Sequence, residues 1–378
     1  MLLNDGKSAL LNTENALLIC DLHSKSDEIT LTQLRCLFTC LSQRRLFGSS
    51  ADMIIWHPQG QTAFDPKWSQ LEDISIVDQR EFDSIVDDFL SRAGDSDDLG
   101  SGYDSSSSAA LPQQAHRCAV ALHSASTGKS YQRLLYFTVS AREGVARAMK
   151  ELWARRFKND DVADLEIVVV GRVNPDLVVK DAWERKRETV YVITKERLDG
   201  VEKVSEEKIN LITLSSLKFD LLKKNVRSNV ALRVDETEQR CDEKAGSFVQ
   251  YNCARVCSIL NQFQDMVSDG TYPPVPQNVN AILLSDSQEW ELVSKYLGTH
   301  TEMIAETTGH PENLSRLVQW LISFGLDFSS YYNRTHVLTD PREHLYPKMF
   351  ARLKLLQKLR EWLEYWLHVL DLEPLTEV

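Results

Sequence analysis

The 378-residue sequence lacks long apolar runs, and no stretch approaches the roughly 18 residues that a membrane-spanning helix needs. Its first residues do not show the basic segment and apolar core of a secretory signal. They also lack the arginine-rich, acid-poor character of a mitochondrial presequence. We therefore expect a cytoplasmic protein that makes no contact with a membrane.

Cysteine pairs with zinc-finger spacing are also missing. The seven cysteines form no Cys-x-x-Cys motif, and their number is odd. Cys36/Cys40 and Cys253/Cys257 each place two thiols on one helix face, but no histidine lies at helical spacing from either pair. We predict free buried thiols in a reducing compartment and no bound metal.

A phosphate-binding loop is incomplete as well. The segment 126–130, Ser-Thr-Gly-Lys-Ser, has the end of such a motif, but His123 occupies the position of its first glycine. A polar turn is the simpler interpretation. We predict no cofactor.

The net charge of −12 is unusual for a protein that binds nucleic acid. Eleven acidic residues lie between Glu72 and Asp104 and only two arginines oppose them, so this segment carries −9 of the total. The remainder is close to neutral and can present basic faces. Within the acidic segment, the Gly-, Asp- and Ser-rich residues at about 94–110 predict a disordered loop.

Short apolar runs typical of strands buried on both faces dominate the first part of the chain. These runs are 16–20, 53–56, 118–123, 134–139, 165–170 and 190–194. A helical pattern at 141–158 starts after Ser140, with Glu143 at capping-box spacing. The alternation predicts an α/β region over residues 1–209.

Helical periodicity replaces the strand-like runs from residue 210 onward. After a proline-rich break at 272–276, the spacing predicts helices over 288–305, 311–332 and 347–370. We expect residues 210–378 to form an all-α bundle.

Several short motifs in this second part resemble arginyl-tRNA synthetases, and they occur in the same order. They are Lys218-Phe219-x-x-Leu222, Gly246 followed by Gln250-Tyr251-x-x-Ala254-Arg255, the segment 328–338, and Ala351-Arg352-Leu353-x-Leu355. The pattern is similar to the DALR anticodon-binding domain-containing protein family, a non-catalytic relative of arginyl-tRNA synthetase. The resemblance implies a degenerate synthetase-like α/β part followed by a DALR-type anticodon-binding bundle. One departure is His368-Val-Leu370, where the family normally carries a glycine-leucine pair.

The catalytic motifs of a class I synthetase are absent from the sequence. No two histidines are three residues apart, so the His-x-Gly-His motif that stabilises charge on the transferring phosphate is missing. A Lys-Met-Ser-Lys loop is missing too. We predict that the protein is not an enzyme.

The resemblance implies an adaptor that binds arginine tRNA through the anticodon arm. It also implies a partner, a tRNA 3-methylcytidine methyltransferase that modifies the anticodon loop. Two alternatives stay open: a protein-interaction scaffold that has lost RNA binding, and a residual arginyl-tRNA synthetase-like enzyme.

The candidate tRNA-binding side chains combine cations, which hold phosphates, with aromatic rings, on which unpaired bases stack. They are Gln250, Tyr251, Arg255, Tyr332, Arg334, Lys348, Arg352, Lys354 and Lys358. On the last helix, Lys348/Arg352 and Lys354/Lys358 have i,i+4 spacing and predict a basic ridge. The alternative for that ridge is a solvated helix face beside core tyrosines. A second basic cluster at 142–158 also fits a solvated face.

Overall fold

The computed structural model describes residues 15–23, 29–48, 51–56, 74–77, 80, 84–85, 110–128, 130–157, 163–197, 205–232 and 245–377. The loop expected at 94–110 lies outside these ranges except for Ala110, which begins a helix. The chain forms two compact units. An α/β unit comprises residues 11–179 and 224–231, and a helical unit contains 180–223 and 232–378.

The α/β unit is built on a parallel sheet of five strands in the order β3-β2-β1-β4-β5. Every residue of the central strand β1 is buried, as expected for a strand covered on both faces. A two-stranded parallel pair, β6-β7, accompanies the sheet. The elements are β1 Ala16–Asp21, α1 Leu31–Phe47, β2 Ala51–Trp56, β3 Ile74–Val77, α2 Ala110–Ser126, β4 Arg133–Val139, α3 Glu143–Leu152, β5 Leu165–Val170, β6 Val173–Asn174 and β7 Val230–Ala231.

Two of the predicted strands are wrong. The run 118–123 lies inside the 17-residue helix α2, and the run 190–194 lies inside a 19-residue helix, α4 Val179–Arg197. A short apolar run cannot by itself be distinguished from one buried turn of a helix. The boundary expected at 209/210 therefore differs from the observed division, since the helical unit includes α4 from residue 180 onward.

The capping box predicted at Ser140 is not formed. Ser140–Arg142 make a 3-10 turn, and α3 starts at Glu143 with Arg142 as N-cap and no side-chain cap bond. The chain thus enters this helix by a tighter turn rather than through a side-chain cap.

The helical unit follows the predicted periodicity closely in its last part. Its helices are α4, α5 Glu206–Leu222, α6 Gly246–Ser268, α7 Ser287–Leu292, α8 His300–Gly309, α9 Leu314–Arg334 and α10 Tyr346–Val369. The helix expected over 288–305 is divided, because a π-helical turn at Val293–Leu297 separates α7 from α8. Aromatic rings fill the core between these helices. The ring centroids of Tyr296 and Trp362 are 5.4 Å apart, and those of Trp362 and Phe324 are 4.8 Å apart.

Gly246 lets α6 approach α5 closely. A Cβ atom at this position would collide with the backbone carbonyl of Ser215 and with the Phe219 ring. Any side chain here would therefore push the two helices apart.

The end of α10 is held by a buried lysine. Lys218 of α5 is 1% exposed, and its Nζ donates to the carbonyl oxygens of Leu370 at 2.6 Å and Asp371 at 3.0 Å. Asp371 adopts the left-handed conformation, with φ 54°. An ammonium group thus satisfies the carbonyls at the turn that ends α10.

Candidate nucleic-acid interface

Gln250 and Tyr251 lie inside the helical unit. The Gln250 amide donates to Ser215 Oγ and to the Glu373 carbonyl, both at 2.9 Å, and it accepts from the Leu375 backbone N–H at 2.8 Å. Tyr251 is 6% exposed, with its hydroxyl 2.8 Å from Thr194 Oγ1. Both side chains stabilise the packing around α6, and neither belongs to the exposed surface of the unit.

Arg255, one turn further along α6, reaches the edge of the unit. Its guanidinium carbon lies 5.3 Å from the centroid of the Tyr332 ring, a cation–π contact. The same guanidinium donates to Asn252 Oδ1 and Ser329 Oγ, both at 3.3 Å. Tyr332 remains 40% exposed. The arrangement holds an aromatic ring at the surface, beside a cation.

The last turn of α9 carries Tyr332 and connects two neighbouring helices. Ser329 contacts α6 through Arg255, and Ser330 Oγ accepts from Gln288 Nε2 of α7 at 3.1 Å. Arg334, the final residue of α9, is exposed and has no ion pair within the described ranges. Its charge is available to a ligand.

Arg352 is committed to the interior of the helical unit. Its Nε donates to Glu289 Oε1 at 2.7 Å, and its Nη1 donates to the His336 carbonyl at 3.1 Å. The side chain of Glu289 is fully buried and that of Arg352 is 13% exposed. A phosphate contact by Arg352 would leave an uncompensated buried carboxylate, which is strongly unfavourable.

Lys348, one turn earlier on α10, is exposed, and no carboxylate of the described residues pairs with it. Its Nζ donates to the neutral Ser285 Oγ at 2.8 Å. Trp290, 46% exposed, donates from its indole N–H to the carbonyl of Leu284 at 2.8 Å. The lysine and the indole are thus hydrogen-bonded to two consecutive residues, Ser285 and Leu284. Trp290 was not predicted, although a tryptophan flanked by two glutamates in a short helix was the available signal.

The basic ridge expected on α10 is interrupted, because Arg352 and Lys358 each pair with a glutamate. Lys354 follows Lys348 by six residues, which rotates it by about 120° around an ideal helix. Lys358 is mostly buried and pairs with Glu361 at 2.9 Å. The structure therefore brings Arg255, Tyr332 and Arg334 together around the end of α9, with Lys348 at the start of α10. Lys354 and Lys358 face elsewhere.

The α/β unit contains a separate cavity of about 950 Å³. Beside it, at the end of β1, the buried carboxylate of Asp21 accepts hydrogen bonds from Tyr136 Oη and from Arg142 Nε, the latter at 2.7 Å. Burial alone would raise the pKa of Asp21, but the Arg142 guanidinium and His23 hold it well below its usual range. Such a carboxylate is a weak base, and the network satisfies its charge internally. Lining residues of the cavity include Thr30, Gln33, Gln114, Arg117, Arg142 and Arg172.

Within the described part of the chain, no cluster of three or more His, Cys, Asp or Glu side chains is suited to a metal ion. No helix in the same ranges is long and apolar enough to span a bilayer. Cys20, Cys36, Cys40, Cys118, Cys253 and Cys257 are buried free thiols.

Comparison with protein families gives a match for about the last third of the chain. Residues 249–378 match the family described as DALR anticodon binding domain. This last part of the helical unit is therefore similar to a DALR anticodon binding domain. The domain includes Arg255, Tyr332, Arg334 and Lys348, and so contains the whole surface described above.

Relatives extend the match upstream of the DALR domain. DALR anticodon-binding domain-containing protein 3 of Mus musculus is 32% identical over 182 residues, which are 46% of this chain and 34% of that protein. Arginine–tRNA ligase of Desulfotalea psychrophila is 30% identical over 186 residues, 46% of this chain and 32% of the ligase. The chain thus matches about a third of the length of these curated relatives. The resemblance to the DALR anticodon-binding domain-containing proteins is confirmed.

A solved structure shows the same fold over most of the chain. Thermus thermophilus arginyl-tRNA synthetase aligns with a TM-score of 0.66 at 13% identity, covering 96% of this chain and 83% of the synthetase. The predicted fold class, an α/β part followed by a helical DALR-type part, is confirmed. At this identity the likeness concerns fold alone.

Proposed function

We propose that this protein is a tRNA-binding adaptor whose DALR domain holds the anticodon arm of an arginine tRNA. One observation carries the proposal: the partly exposed ring of Tyr332 is held by the Arg255 guanidinium at 5.3 Å, inside a domain of anticodon-binding type. Arginine as the tRNA identity is supported by the similarity to arginine–tRNA ligases.

Single-stranded loops are recognised through stacking of splayed bases on aromatic side chains, with cations on the phosphates. Tyr332 and Trp290 offer rings that are 40% and 46% exposed, respectively. Arg334 and Lys348 supply charge that no carboxylate of the described residues neutralises. The Tyr332 ring has Arg255 in direct contact and Arg334 two residues later, and Trp290 and Lys348 bind the neighbouring residues Leu284 and Ser285.

We extend the proposal to a role in tRNA modification, in which the protein presents the anticodon loop to a tRNA 3-methylcytidine methyltransferase in the cytoplasm. This extension is supported by the sequence resemblance to the DALR anticodon-binding domain-containing protein family. Aminoacylation is left out because the sequence has no His-x-Gly-His motif.

A protein-interaction scaffold is the second candidate. Ile282, Leu283 and Trp290 are 81%, 37% and 46% exposed, and apolar side chains of this kind are typical of protein interfaces. On this alternative, the same surface binds a protein and total tRNA gives no shift at physiological salt.

Crosslinking of the full chain to RNA in cells, followed by sequencing, tests the proposed function directly. Enrichment of arginine tRNAs supports it, and a random RNA profile contradicts it. The variant Tyr332→Ala should reduce the enrichment, whereas Arg316→Gln should not, because Arg316 already pairs with Glu306. We also expect no ATP–pyrophosphate exchange in the presence of arginine and tRNA.

A further inference from the structure

A basic segment of the α/β unit is held in a fixed orientation by aromatic packing. After Leu152, helix α3 continues into a π-helical turn, Trp153–Phe157. Trp153 is 1% exposed and its indole donates to the Ala163 carbonyl at 3.3 Å. Phe157 stacks on the His123 ring, with centroids 4.7 Å apart. Because both aromatic residues are anchored inward, the residues between them occupy the outer side of the turn.

Arg155 and Arg156 lie on the outer side of this segment, and a third cation, Lys150, is exposed on the helical turn before it. Lys150, Arg155 and Arg156 are exposed, and within the described ranges none of them forms an ion pair or a hydrogen bond from its side chain. Arg147, on the same helix, differs because it pairs with Glu143 one turn away. Arg147 is therefore neutralised by a carboxylate, whereas the other three cations have no such partner among the described residues.

Exposed cations in the helical unit show the opposite arrangement in several places. Lys295 pairs with Asp327 at 2.7 Å, and Arg360 lies 3.3 Å from Glu364. A phosphate that approaches such a lysine or arginine must displace a carboxylate. Lys150, Arg155 and Arg156 lie within seven residues of one another, and among the described residues none has a carboxylate partner to displace. In a protein of net charge −12, such cations form an anion-attracting surface.

Helix α2 adds positive charge beside this surface. Its His116 has a pKa lowered first by burial and then by the charges of Arg156 and Arg117. The imidazole is therefore neutral at physiological pH, and arginines from two packed segments converge on it.

We propose that Lys150, Arg155 and Arg156 form a phosphate-binding surface on the α/β unit that contacts the sugar–phosphate backbone of bound RNA. The inference rests on the proposed function, since tRNA is the ligand. Trp153 is buried and Phe157 is stacked on His123, so neither ring is offered to a base. The contact is accordingly electrostatic and independent of base sequence.

Salt dependence of tRNA binding by the full chain tests this surface. The triple variant K150Q/R155Q/R156Q should reduce the slope of log K against log salt by about two to three units, given about 0.7–0.9 per phosphate contact. The control E143Q/R147Q removes an exposed ion pair of the same helix without changing net charge, and should keep the wild-type slope. Total tRNA is the probe in both measurements.

The results of these measurements distinguish failure of the phosphate-binding surface from failure of the proposed tRNA-binding function. If wild type binds tRNA and the triple variant has the wild-type slope, the surface is overturned while the proposed function stands. If wild type does not bind tRNA, both are overturned. Reduced binding of poly-glutamate by the triple variant, with an unchanged tRNA slope, would instead assign the surface to an acidic protein. The double variant R155Q/R156Q serves if the triple variant does not fold.

Discussion

The Arg255 guanidinium lies over the ring of Tyr332, 5.3 Å from its centroid, and joins the middle of α6 to the last turn of α9. Arg255 is itself oriented by Asn252 and Ser329. A ring held in this way loses less conformational freedom on binding than a mobile one. The preorganised ring is the central element of the proposed anticodon contact.

Replacing Tyr332 by alanine should weaken tRNA binding by about 1–3 kcal/mol, because one stacked base loses its platform. Tyr332→Phe keeps the ring and should bind nearly as wild type. Dissociation constants measured at fixed salt check both. The salt slope should stay constant in Tyr332→Ala, since no charge changes; equal losses for the two variants would contradict stacking.

Lys348 and Arg352 are i,i+4 neighbours on α10, but we expect their removal to affect different properties: tRNA binding for Lys348 and stability for Arg352. Arg352→Met should lower the free energy of unfolding by about 3–5 kcal/mol, because Glu289 is left charged and buried. Lys348→Met should change stability by less than about 0.5 kcal/mol. It should reduce the salt slope of tRNA binding by about one unit.

Urea unfolding and salt titrations of the two variants distinguish these roles. The double variant R352M/E289Q should recover part of the lost stability, since it removes the unpaired carboxylate. A stable Arg352→Met that loses tRNA binding would return Arg352 to the RNA surface.

Asp21 should make the stability of the α/β unit depend on pH. Its pKa in the folded state lies well below the unfolded value of about 3.9, so its ionised form stabilises the fold above that pH. This stabilisation is lost as pH falls through the lower, folded-state pKa. Asp21→Asn should lower the free energy of unfolding by about 3–5 kcal/mol at pH 7 and should flatten the acid limb of the stability curve.

Denaturant unfolding between pH 7 and pH 2 tests the Asp21 prediction, with Tyr136→Phe as a milder comparison. Loss of one hydrogen-bond donor to a charged group should be worth about 1.5–3 kcal/mol. An acid limb unchanged in Asp21→Asn would mean that other carboxylates control the pH dependence.

Lys218→Met should destabilise the helical unit, since the buried ammonium donates two hydrogen bonds to the carbonyls after α10. We expect a loss of about 1.5–3 kcal/mol per charged hydrogen bond, partly offset because a buried charge is removed. Thermal unfolding monitored by circular dichroism measures it. Lys223→Met, at a half-buried lysine paired with Asp220, is the control and should have a smaller effect.

Periodicity predicted the long helices well because each buries a continuous apolar stripe. Helices α9 and α10 begin and end within three residues of the expected bounds. Runs shorter than seven residues carried less information, and so 118–123 and 190–194 were assigned to the wrong structure. Tertiary contacts determine whether such a short run forms a strand or a helical turn, and a local sequence pattern does not reveal those contacts.

The candidate site was only partly predictable for a different reason. A sequence pattern indicates which residues share a helix face but not which of them meet a partner far away in sequence. Arg352 is neutralised by Glu289, 63 residues earlier, and Gln250 binds the backbone of Leu375, 125 residues later. The orientation of Trp290 likewise depends on the hydrogen bond from its indole to the Leu284 carbonyl, which the sequence does not reveal.

The close crossing at Gly246 reaches further than the interior. Arg255 lies nine residues along the same helix, about 14 Å away at 1.5 Å per residue. Tilting α6 to admit a methyl group at Gly246 would swing Arg255 out of register with Tyr332. The position of the Tyr332 ring beside Arg255 therefore depends on the missing side chain of Gly246, where α5 and α6 cross.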